Sequence, residues 1–296
     1  MKKGISALLA LVLCLGCFTG CVRSIDNSAY VPTGNAILME GEEPEEETIA
    51  PDSQDLALAY YPDRSMNPLY GSDYTNRVVM SLMYQPLFAV DAKNNTTPIL
   101  CSSYHVTPDN RTWTIYLEPD ATFSDGTRVT VQDVVASYEQ ARGNVYYKGR
   151  FTHIARVELS SDGGVDFFLD TPYQNLALLL DIPIVKASEV SSDNPLGTGP
   201  YSLEEGIGGK HLQRVVNWWC KSENLVAKDS SIALIEAESP SQIRDEFEFS
   251  GLSVVCTNPQ TDSYADYRCD FELWEVDSGF LMYIGCNVTY SDYFDD

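Results

Sequence analysis

Residues 112–137 read TWTIYLEPDATFSDGTRVTVQDVVAS and contain the signals for a strand, a turn and a helix in close succession. Apolar and polar residues alternate over 113–117, which predicts a half-buried strand. The Ser-Asp-Gly-Thr sequence at 124–127 predicts a turn. Thr130 precedes Asp133 by three residues, which is the spacing of a capping box at the start of a helix. This order of elements indicates a fold that mixes strands with helices.

The segments on either side of this stretch continue the same mixture. Helices are predicted from Asp73 to about Tyr84, from Thr171-Pro172 to Leu180, and from Ser239-Pro240 to about Phe249, because each begins with a capping residue. Strands are predicted at 56–60, 165–169, 232–236, 253–256, 271–276 and 280–284. The elements follow no regular βαβ order, so the expected fold class is α/β with mixed sheets.

Composition excludes several classes of protein. The chain has 296 residues, of which 44% are hydrophobic, enough to build a core. Acidic residues outnumber basic residues 43 to 19, giving a net charge of -24. A protein this acidic lacks the basic surface that nucleic-acid binding requires, and charge alone would not hold it on anionic lipid.

The N-terminus carries a targeting signal. Two lysines precede a short apolar run over 4–20, which is typical of a secretory signal peptide. The run ends in Phe-Thr-Gly before Cys21 and resembles a bacterial lipoprotein cleavage site, although Phe18 stands where Leu is usual. Cys17 is a poorer second candidate, and an ordinary cleaved signal remains the alternative. Acidic and proline-rich residues over 21–55 predict a disordered tether. The expected location is extracytoplasmic, with the chain anchored to the membrane by a lipid on Cys21.

No motif predicts catalysis, a cofactor or a metal site. Cys101 and His105 are four residues apart, which is a helical spacing, but two ligands do not make a metal site. The glycine-rich segment 206–211 lacks the spacing of a phosphate-binding loop. The remaining cysteines follow no regular pattern, so no disulfide pairing can be predicted. The chain is therefore expected not to be an enzyme.

Four motifs resemble, in their order along the chain, those of the solute-binding proteins of peptide and nickel ABC importers, known as bacterial family 5. They lie at 65–68, 83–88, 113–137 and 182–201. Residues 113–137 are the most similar, whereas Gln85-Pro86 replaces the Glu-Gly that is usual in the family. The resemblance covers residues 56–296.

The resemblance implies a clamp of the type II periplasmic-binding-protein kind. It assigns residues 56–72 and 184–296 to the first ligand lobe, and residues 73–183 to a smaller accessory lobe. The second ligand lobe would follow Asn287, but no matching residues are found there. We therefore expect this lobe to be missing, and such a chain to bind peptides weakly or not at all.

The resemblance also implies which residues approach a ligand. They belong to the loop near residue 65, the tip of the accessory lobe and the strand over 280–284, and the candidates are Asp63, Arg64, Ser65, Tyr147, Arg150 and Tyr283. Asp63 would pair with a ligand ammonium, and Arg64 or Arg150 with a carboxylate. The segment 197–201 is expected to be structural, with glycines that allow a positive φ and a packed Tyr201.

The function implied is capture of peptides or a related small solute for delivery to a membrane permease driven by an ATPase. The alternative is a surface lipoprotein that keeps part of the fold without transport, as an adhesin or a remnant.

Overall fold

The computed structural model of the chain describes residues 56–70, 73–206, 208–220, 229–249, 251–256 and 267–274. The predictions that lie outside these residues are the signal peptide over 1–20, the tether over 21–55, the lipidated Cys21, the strand over 280–284 and the candidate Tyr283. In the described part of the chain, no helix has the length and apolar character needed to cross a bilayer.

Strands and helices alternate irregularly along the described residues. The strands are β1 (Ala57–Tyr60), β2 (Phe88–Val90), β3 (Thr96–Pro98), β4 (Cys101–Val106), β5 (Thr112–Leu117), β6 (Ile154–Leu159), β7 (Val165–Leu169), β8 (Tyr201–Gly206), β9 (Gly209–Arg214) and β10 (Ser231–Glu236). The α-helices are α1 (Tyr74–Met80), α2 (Val131–Arg142) and α3 (Pro240–Glu248). Short 3-10 helices span Lys148–Phe151, Leu176–Leu179 and Ala187–Glu189.

Two four-stranded sheets form the framework. The first has the order β1-β10-β9-β8, with β1 parallel to β10 and the other pairs antiparallel. The second has the order β4-β5-β7-β6 and is antiparallel throughout, while β2 and β3 pair separately. The predicted α/β class with mixed sheets is confirmed. All strands of the second sheet lie between residues 101 and 169, whereas the first sheet is built from segments on either side of that range.

Helix α2 begins at the predicted capping residue and packs on the second sheet. The backbone N–H of Thr130 donates to Asp133 Oδ2 at 2.8 Å, as a capping box requires. The other oxygen of Asp133 accepts from the Ala187 N–H at 2.7 Å, which ties the helix start to a distant loop. The ring of Tyr138 meets that of Phe167 on β7 edge to face, with centroids 5.0 Å apart. Both rings are fully buried.

The turn before α2 is fixed by an ion pair. Lys186 Nζ lies 2.5 Å from Asp125 Oδ2, and Thr127 donates to the other carboxylate oxygen at 2.6 Å from its hydroxyl. Partial burial disfavours the charged form, but the bonds from Lys186 and Thr127 outweigh it, so the pKa of Asp125 is lowered. The same pair raises the pKa of Lys186.

Helix α1 ends earlier than predicted. Asp73 caps it as expected, with Oδ1 accepting from the backbone of Asn76 at 3.1 Å. The helix stops at Met80 rather than near Tyr84. The carbonyls of residues 82 and 83 accept instead from the backbone N–H groups of residues 201 and 199, and this pairing draws the chain out of the helix.

Gly197 and Gly199 are required by a close approach of two backbones. A Cβ on Gly197 would lie 2.1 Å from the Met83 carbonyl oxygen, and one on Gly199 would lie 2.5 Å from that of Leu82. Neither glycine has a positive φ, so the conformational reason predicted for them is wrong. Tyr201 is buried as expected.

Two indole groups hold the residue between these glycines. Trp218 Nε1 and Trp219 Nε1 both donate to the carbonyl oxygen of Thr198, at 2.7 and 2.9 Å. A carbonyl oxygen has two lone pairs, so it can accept both bonds. Strand β9 ends at Arg214, and the two tryptophans follow a turn at 216–217.

The helix predicted from Thr171-Pro172 does not form. Only a 3-10 helix at Leu176–Leu179 is present. Tyr173 donates its backbone N–H to the Asn110 carbonyl at 3.2 Å, and its ring stacks on His153 with centroids 4.3 Å apart. These contacts with other parts of the chain hold residues 171–173 in a loop, where the first turn of the helix was expected.

The helical spacing of Cys101 and His105 has no structural meaning, because both lie on β4. Four residues of a strand span about 13 Å, which is too far for two ligands of one metal ion.

Two predicted strands also differ from the structure. Residues 253–256 form no strand, although Ser253 contacts β1: its N–H donates to the Ala57 carbonyl at 3.1 Å, and its hydroxyl accepts from the Ala57 N–H at 3.0 Å. Residues 271–274 are irregular, and the last two residues of that predicted strand lie outside the described part.

Candidate functional site

A cleft of about 390 Å³ opens where the first sheet meets two loops. The loop after β1 contributes residues 62–66, and a turn contributes Asp193 and Asn194. The sheet contributes residues 203–205 of β8 and Lys210 on β9. This volume lies within the range of small-molecule sites.

Asn76 on α1 fixes the shape of the loop after β1. Its Oδ1 accepts from the Tyr61 N–H at 2.7 Å, and its Nδ2 donates to the Tyr61 carbonyl at 3.0 Å and to the Arg64 carbonyl at 3.4 Å. The side chain is almost fully buried, so these bonds form away from water. The helix therefore dictates the path of the loop.

A second buried asparagine joins this loop to the opposite wall of the cleft. Asn67 Nδ2 donates to the carbonyls of Val190 and Ser192, at 3.0 and 2.7 Å. The Asp193 carbonyl accepts from the Met66 N–H at 3.0 Å. The two loops that line the cleft are thus bonded to each other.

Three of the predicted ligand-binding residues lie together in this cleft. Ser65 bonds to the Asp193 carbonyl at 3.3 Å, and the Asp63 side chain is 78% exposed. The Arg64 guanidinium pairs with Asp73 and lies 4.1 Å from the centroid of the Tyr61 ring. Arg64 is therefore already engaged by protein groups.

The rest of the cleft is mainly acidic. Its lining carries four acids, Asp63, Asp193, Glu204 and Glu205, against the two bases Arg64 and Lys210. Lys210 is the direct cross-strand neighbour of Glu205 and lies 5.4 Å from the centroid of the Tyr60 ring. The carboxylates of Asp193 and Glu204 make no ion pair or hydrogen bond with the described residues.

Tyr60, the last residue of β1, lies near Lys210 on the first sheet. Its hydroxyl donates to Glu236 Oε1 at 2.6 Å. Burial, followed by the bond to Glu236, raises the pKa of Tyr60, so this phenol stays neutral.

The other candidates occupy different positions. Tyr147 is buried, and its hydroxyl donates to the Pro68 carbonyl at 2.9 Å. Arg150 makes a two-pronged bond to Asp181, with distances of 2.8 and 2.6 Å, and this bond raises the pKa of the guanidinium. Neither residue lines the cleft. The remaining candidate, Tyr283, lies outside the described residues.

Sequence reasoning missed the residues that form the far side of the cleft: Asp193, Asn194, Leu203, Glu204, Glu205 and Lys210. The composition of residues 192–195 (Ser-Asp-Asn-Pro) is a signal for a turn. The position of this turn opposite residue 65 could not be predicted, because it depends on the buried bonds of Asn67.

No other group of side chains among the described residues offers an alternative chemistry. No three His, Cys, Asp or Glu side chains within the described ranges are placed to hold a metal ion. The glycine-rich segment 206–211 contains the turn between β8 and β9, which pair up to Gly206 and Gly209. On the surface, His153 Nδ1 lies 3.1 Å from Thr171 Oγ1, within hydrogen-bond distance.

Comparison with known proteins identifies one family. Residues 95–247 match the family described as bacterial extracellular solute-binding proteins, family 5 Middle. The glutathione-binding protein GsiB of Escherichia coli strain K12 is 26% identical over 152 residues, which cover 47% of this chain and 30% of GsiB. GsiB of Shigella flexneri has the same identity and coverage. The chain thus spans about a third of the length of these relatives.

Solved structures share the fold. NikZ from Campylobacter jejuni, in complex with Ni(L-His), has a TM-score of 0.52 and 21% identity, covering 67% of this chain and 42% of NikZ. MoaA from A. tumefaciens R10, in complex with mannopinic acid, has a TM-score of 0.55 and 22% identity, covering 67% of this chain and 43% of MoaA. These likenesses confirm the type II periplasmic-binding-protein fold.

Proposed function

Because the chain belongs to family 5 of the bacterial extracellular solute-binding proteins, we propose that it is the solute-capturing lipoprotein of an ABC importer. It binds a peptide or a related small solute outside the cytoplasm and delivers it to a membrane permease, whose transport cycle an ATPase drives. The observation that carries this proposal is the cleft bounded by residues 62–66, since the loop predicted to approach a ligand lines a cavity of small-molecule size.

We further propose the division of the chain into lobes. Residues 56–72 and 184–296 form the first ligand lobe, and residues 73–183 form the accessory lobe. The sheet composition supports this division, because β1, β8, β9 and β10 belong to one sheet and the strands between them to others. Helix α1 packs on β1 across the proposed boundary, through the bonds of Asn76 to the loop.

The cleft can hold a solute by a combination of shape and charge. Its two loops are bonded to each other, so they lose little conformational freedom when a ligand binds. Asp63 is exposed and has only a distant contact, of 4.0 Å, with Arg64 Nε, so we propose that it pairs with a ligand ammonium. Arg64 is placed to receive a ligand carboxylate if it leaves Asp73. Ser65 offers a hydroxyl beside both.

Tyr147 and Arg150 have a different role in this proposal. Tyr147 joins the tip of the accessory lobe to the Pro68 carbonyl, and Arg150 is held by Asp181. Tyr147 thus holds the segment that follows the ligand loop, whereas Arg150 is engaged by Asp181 and does not line the cleft. Tyr283 remains a proposed ligand residue on the strand expected over 280–284.

Calorimetric titration of the purified full-length chain tests the proposal. The solutes are glutathione, trialanine and a nickel–histidine complex, chosen from the ligand classes that the family and its relatives suggest. We expect weak but saturable binding of at least one of them, in keeping with the expected absence of the second lobe. Asp63→Asn should weaken it further, and Asp120→Asn, which removes an equal charge from an exposed turn after β5, should leave it unchanged. A folded chain that binds none of them would favour the surface lipoprotein without transport.

The lipid anchor is tested separately. We propose that cleavage before Cys21 leaves this cysteine acylated, which places the chain at the outer face of the membrane. Expression in a bacterial host, detergent fractionation and mass spectrometry of the N-terminal peptide should show a diacyl or triacyl group on Cys21. Cys21→Ser should release the protein from the membrane fraction, and an unmodified Cys21 in the wild type would refute the anchor.

A further inference from the structure

Strand β6 forms one edge of the second sheet. It is the last strand in the order β4-β5-β7-β6, so β7 is its only strand neighbour among the described residues. The Ser160 N–H donates to the Gly164 carbonyl at 2.9 Å, which directs it toward β7. Backbone groups alternate in direction along an antiparallel strand, so those of Val157 and Leu159 point away from β7. No backbone bond to the N–H or carbonyl of these two residues is found within the described ranges.

The edge carries one charge of each sign. Arg156 and Glu158 are exposed and lie on either side of the buried Val157, so both side chains point to the solvent face of the sheet. They pair with each other, with Arg156 Nε 3.0 Å from Glu158 Oε1. Because both side chains are more than half exposed, water weakens this ion pair and leaves both groups able to bind further partners.

The neighbours of these two residues on β7 do not neutralise them. Arg156 lies directly opposite Phe168, with its guanidinium carbon 3.8 Å from the centroid of that ring. Glu158 lies directly opposite Asp166, which is another acid. Like charges that face each other across two strands destabilise a sheet. A cation on the open side of Glu158 and an anion on the open side of Arg156 would therefore be favourable.

A second copy of the strand supplies both charges. When two copies of β6 run antiparallel about a two-fold axis at Val157, the Arg156 of each copy lies opposite the Glu158 of the other. The outward backbone of Val157 forms the hydrogen-bonded pair, so the arginine and glutamate occupy the pairs in which side chains approach most closely. Sliding one strand by two residues would place Glu158 opposite Glu158, or Arg156 opposite Arg156. The charges therefore favour a single register.

We propose that two copies of this chain associate through β6, which joins their second sheets into one continuous sheet of eight strands. The backbone groups of Val157 and Leu159 bond across the contact, and Arg156 and Glu158 of both copies alternate in sign around the two-fold axis. The side chain of Leu159, 50% exposed in the single chain, loses contact with water beside the partner strand. This contact uses no residue of the solute cleft and does not depend on the function proposed above.

A competing interpretation is that the charges on β6 prevent pairing, as charges on edge strands commonly do. Strand β8, at the edge of the first sheet, fits that role, because Glu204 and Glu205 have the same sign and would repel a second copy. Strand β6 does not, because an antiparallel copy brings opposite charges together. Strand β4, at the other edge of the second sheet, contains no acid, lysine or arginine, so charge gives it no preference for a second copy.

The association is expected to be weak and reversible. Stable interfaces bury about 1,200–2,000 Å², and one short edge supplies only part of that area. The net charge of -24 also repels a second copy, although salt screens this repulsion beyond about 8 Å. We therefore expect a dissociation constant on the order of 10–100 µM at physiological salt.

Sedimentation velocity of the full-length chain, over concentrations on both sides of the expected dissociation constant, tests the dimer. Arg156→Glu makes both edge charges negative, and Glu158→Arg makes both positive, so each variant should repel its own copies. An equimolar mixture of the two variants restores two opposite pairs. Arg128→Glu and Asp120→Arg are the matched controls, because they reverse the charge of exposed residues outside β6. Circular dichroism verifies that every variant is folded.

We expect each edge variant alone to associate at least about tenfold more weakly than the wild type, and the mixture to recover the wild-type affinity within about threefold. The controls should associate as the wild type does. Hydrogen exchange at the Val157 amide should slow as the wild-type concentration rises, and it should not change in either edge variant alone.

Three results would overturn the proposal. They are a wild type that stays monomeric throughout the concentration range, edge variants that associate as strongly as the wild type, and a mixture that associates no better than its components. None of these results bears on solute binding, which rests on other residues and is measured separately.

Discussion

Replacing Asn76 by alanine should loosen the ligand loop from a distance. Asn76 lies on α1, outside the cleft, yet it makes three bonds to the backbone of Tyr61 and Arg64. Alanine keeps the helix but removes the acceptor of the Tyr61 N–H and one of two donors to the Tyr61 carbonyl, which still accepts from the Arg64 N–H at 3.3 Å in this buried region. The loop would then lose the contacts that fix its path.

The size of the effect follows from these bonds. Leaving the buried Tyr61 N–H without this acceptor costs about 1–3 kcal/mol, and the bond lost at the Tyr61 carbonyl costs about 0.5–1.5 kcal/mol. The third bond is long, at 3.4 Å, and adds little. Alanine is a better helix former than asparagine by about 0.6 kcal/mol, which offsets part of the loss. A net loss of about 2 kcal/mol, near the middle of these ranges, lowers the melting temperature by about 4–8 °C for a chain of this size.

Two measurements together test this reasoning. Thermal unfolding gives the loss of stability, and hydrogen exchange should show faster exchange at Tyr61 and in the loop, with β1 and α1 still protected. Asn95→Ala is the matched control, because Asn95 is exposed and bonds to Asp91 at 2.7 Å. It should cost less than about 0.5 kcal/mol. A melting temperature for Asn76→Ala equal to that of the control, or unchanged exchange at Tyr61, would refute the role assigned to this side chain.

Three further changes have defined outcomes. Gly197→Ala places a Cβ 2.1 Å from a backbone oxygen, so it should cost more than about 2 kcal/mol in thermal unfolding, whereas Gly149→Ala meets nothing within 4 Å and should be nearly neutral; equal effects would contradict the close packing. Trp218→Phe and Trp219→Phe each leave the shared carbonyl one donor, so chemical unfolding of the double variant should show a loss larger than the sum of the single losses; strict additivity would argue against the shared acceptor. The lowered pKa of Asp125 contributes stability above its ordinary value of 3.8, and this contribution disappears as the pH falls through the lower folded pKa. The stability gap between wild type and Asp125→Asn should therefore be widest near neutral pH and shrink in acid, and a gap independent of pH would contradict the ion pair.

Local signals predicted the helix starts well. The capping side chains of Asp73, Thr130 and Ser239 lie where the sequence placed them, because a cap needs only neighbours a few residues away. The helix expected from Thr171 failed for the opposite reason. It had a similar local signal, but contacts of Tyr173 with Asn110 and His153 outweighed it.

The candidate site was predictable only in part. The motif around Ser65 predicted residues close to a ligand, and in the structure residues 62–66 line one wall of the cleft. The opposite wall, with Asp193 and Glu204, depends on pairings between segments more than 100 residues apart in the chain, such as Asn67 with Val190. No short pattern encodes such a pairing.

The parallel pairing of β1 with β10 has a consequence for the order in which the molecule assembles. Roughly 170 residues separate these two strands, whereas β4, β5, β6 and β7 all lie between residues 101 and 169. Closing a loop of this length costs conformational entropy before the pairing of β1 with β10 is gained, whereas the strands of the second sheet are close in sequence. The second sheet can therefore form first and serve as the surface on which the later part of the chain assembles. Strand β1 then pairs late, although it is the first of the described strands along the chain.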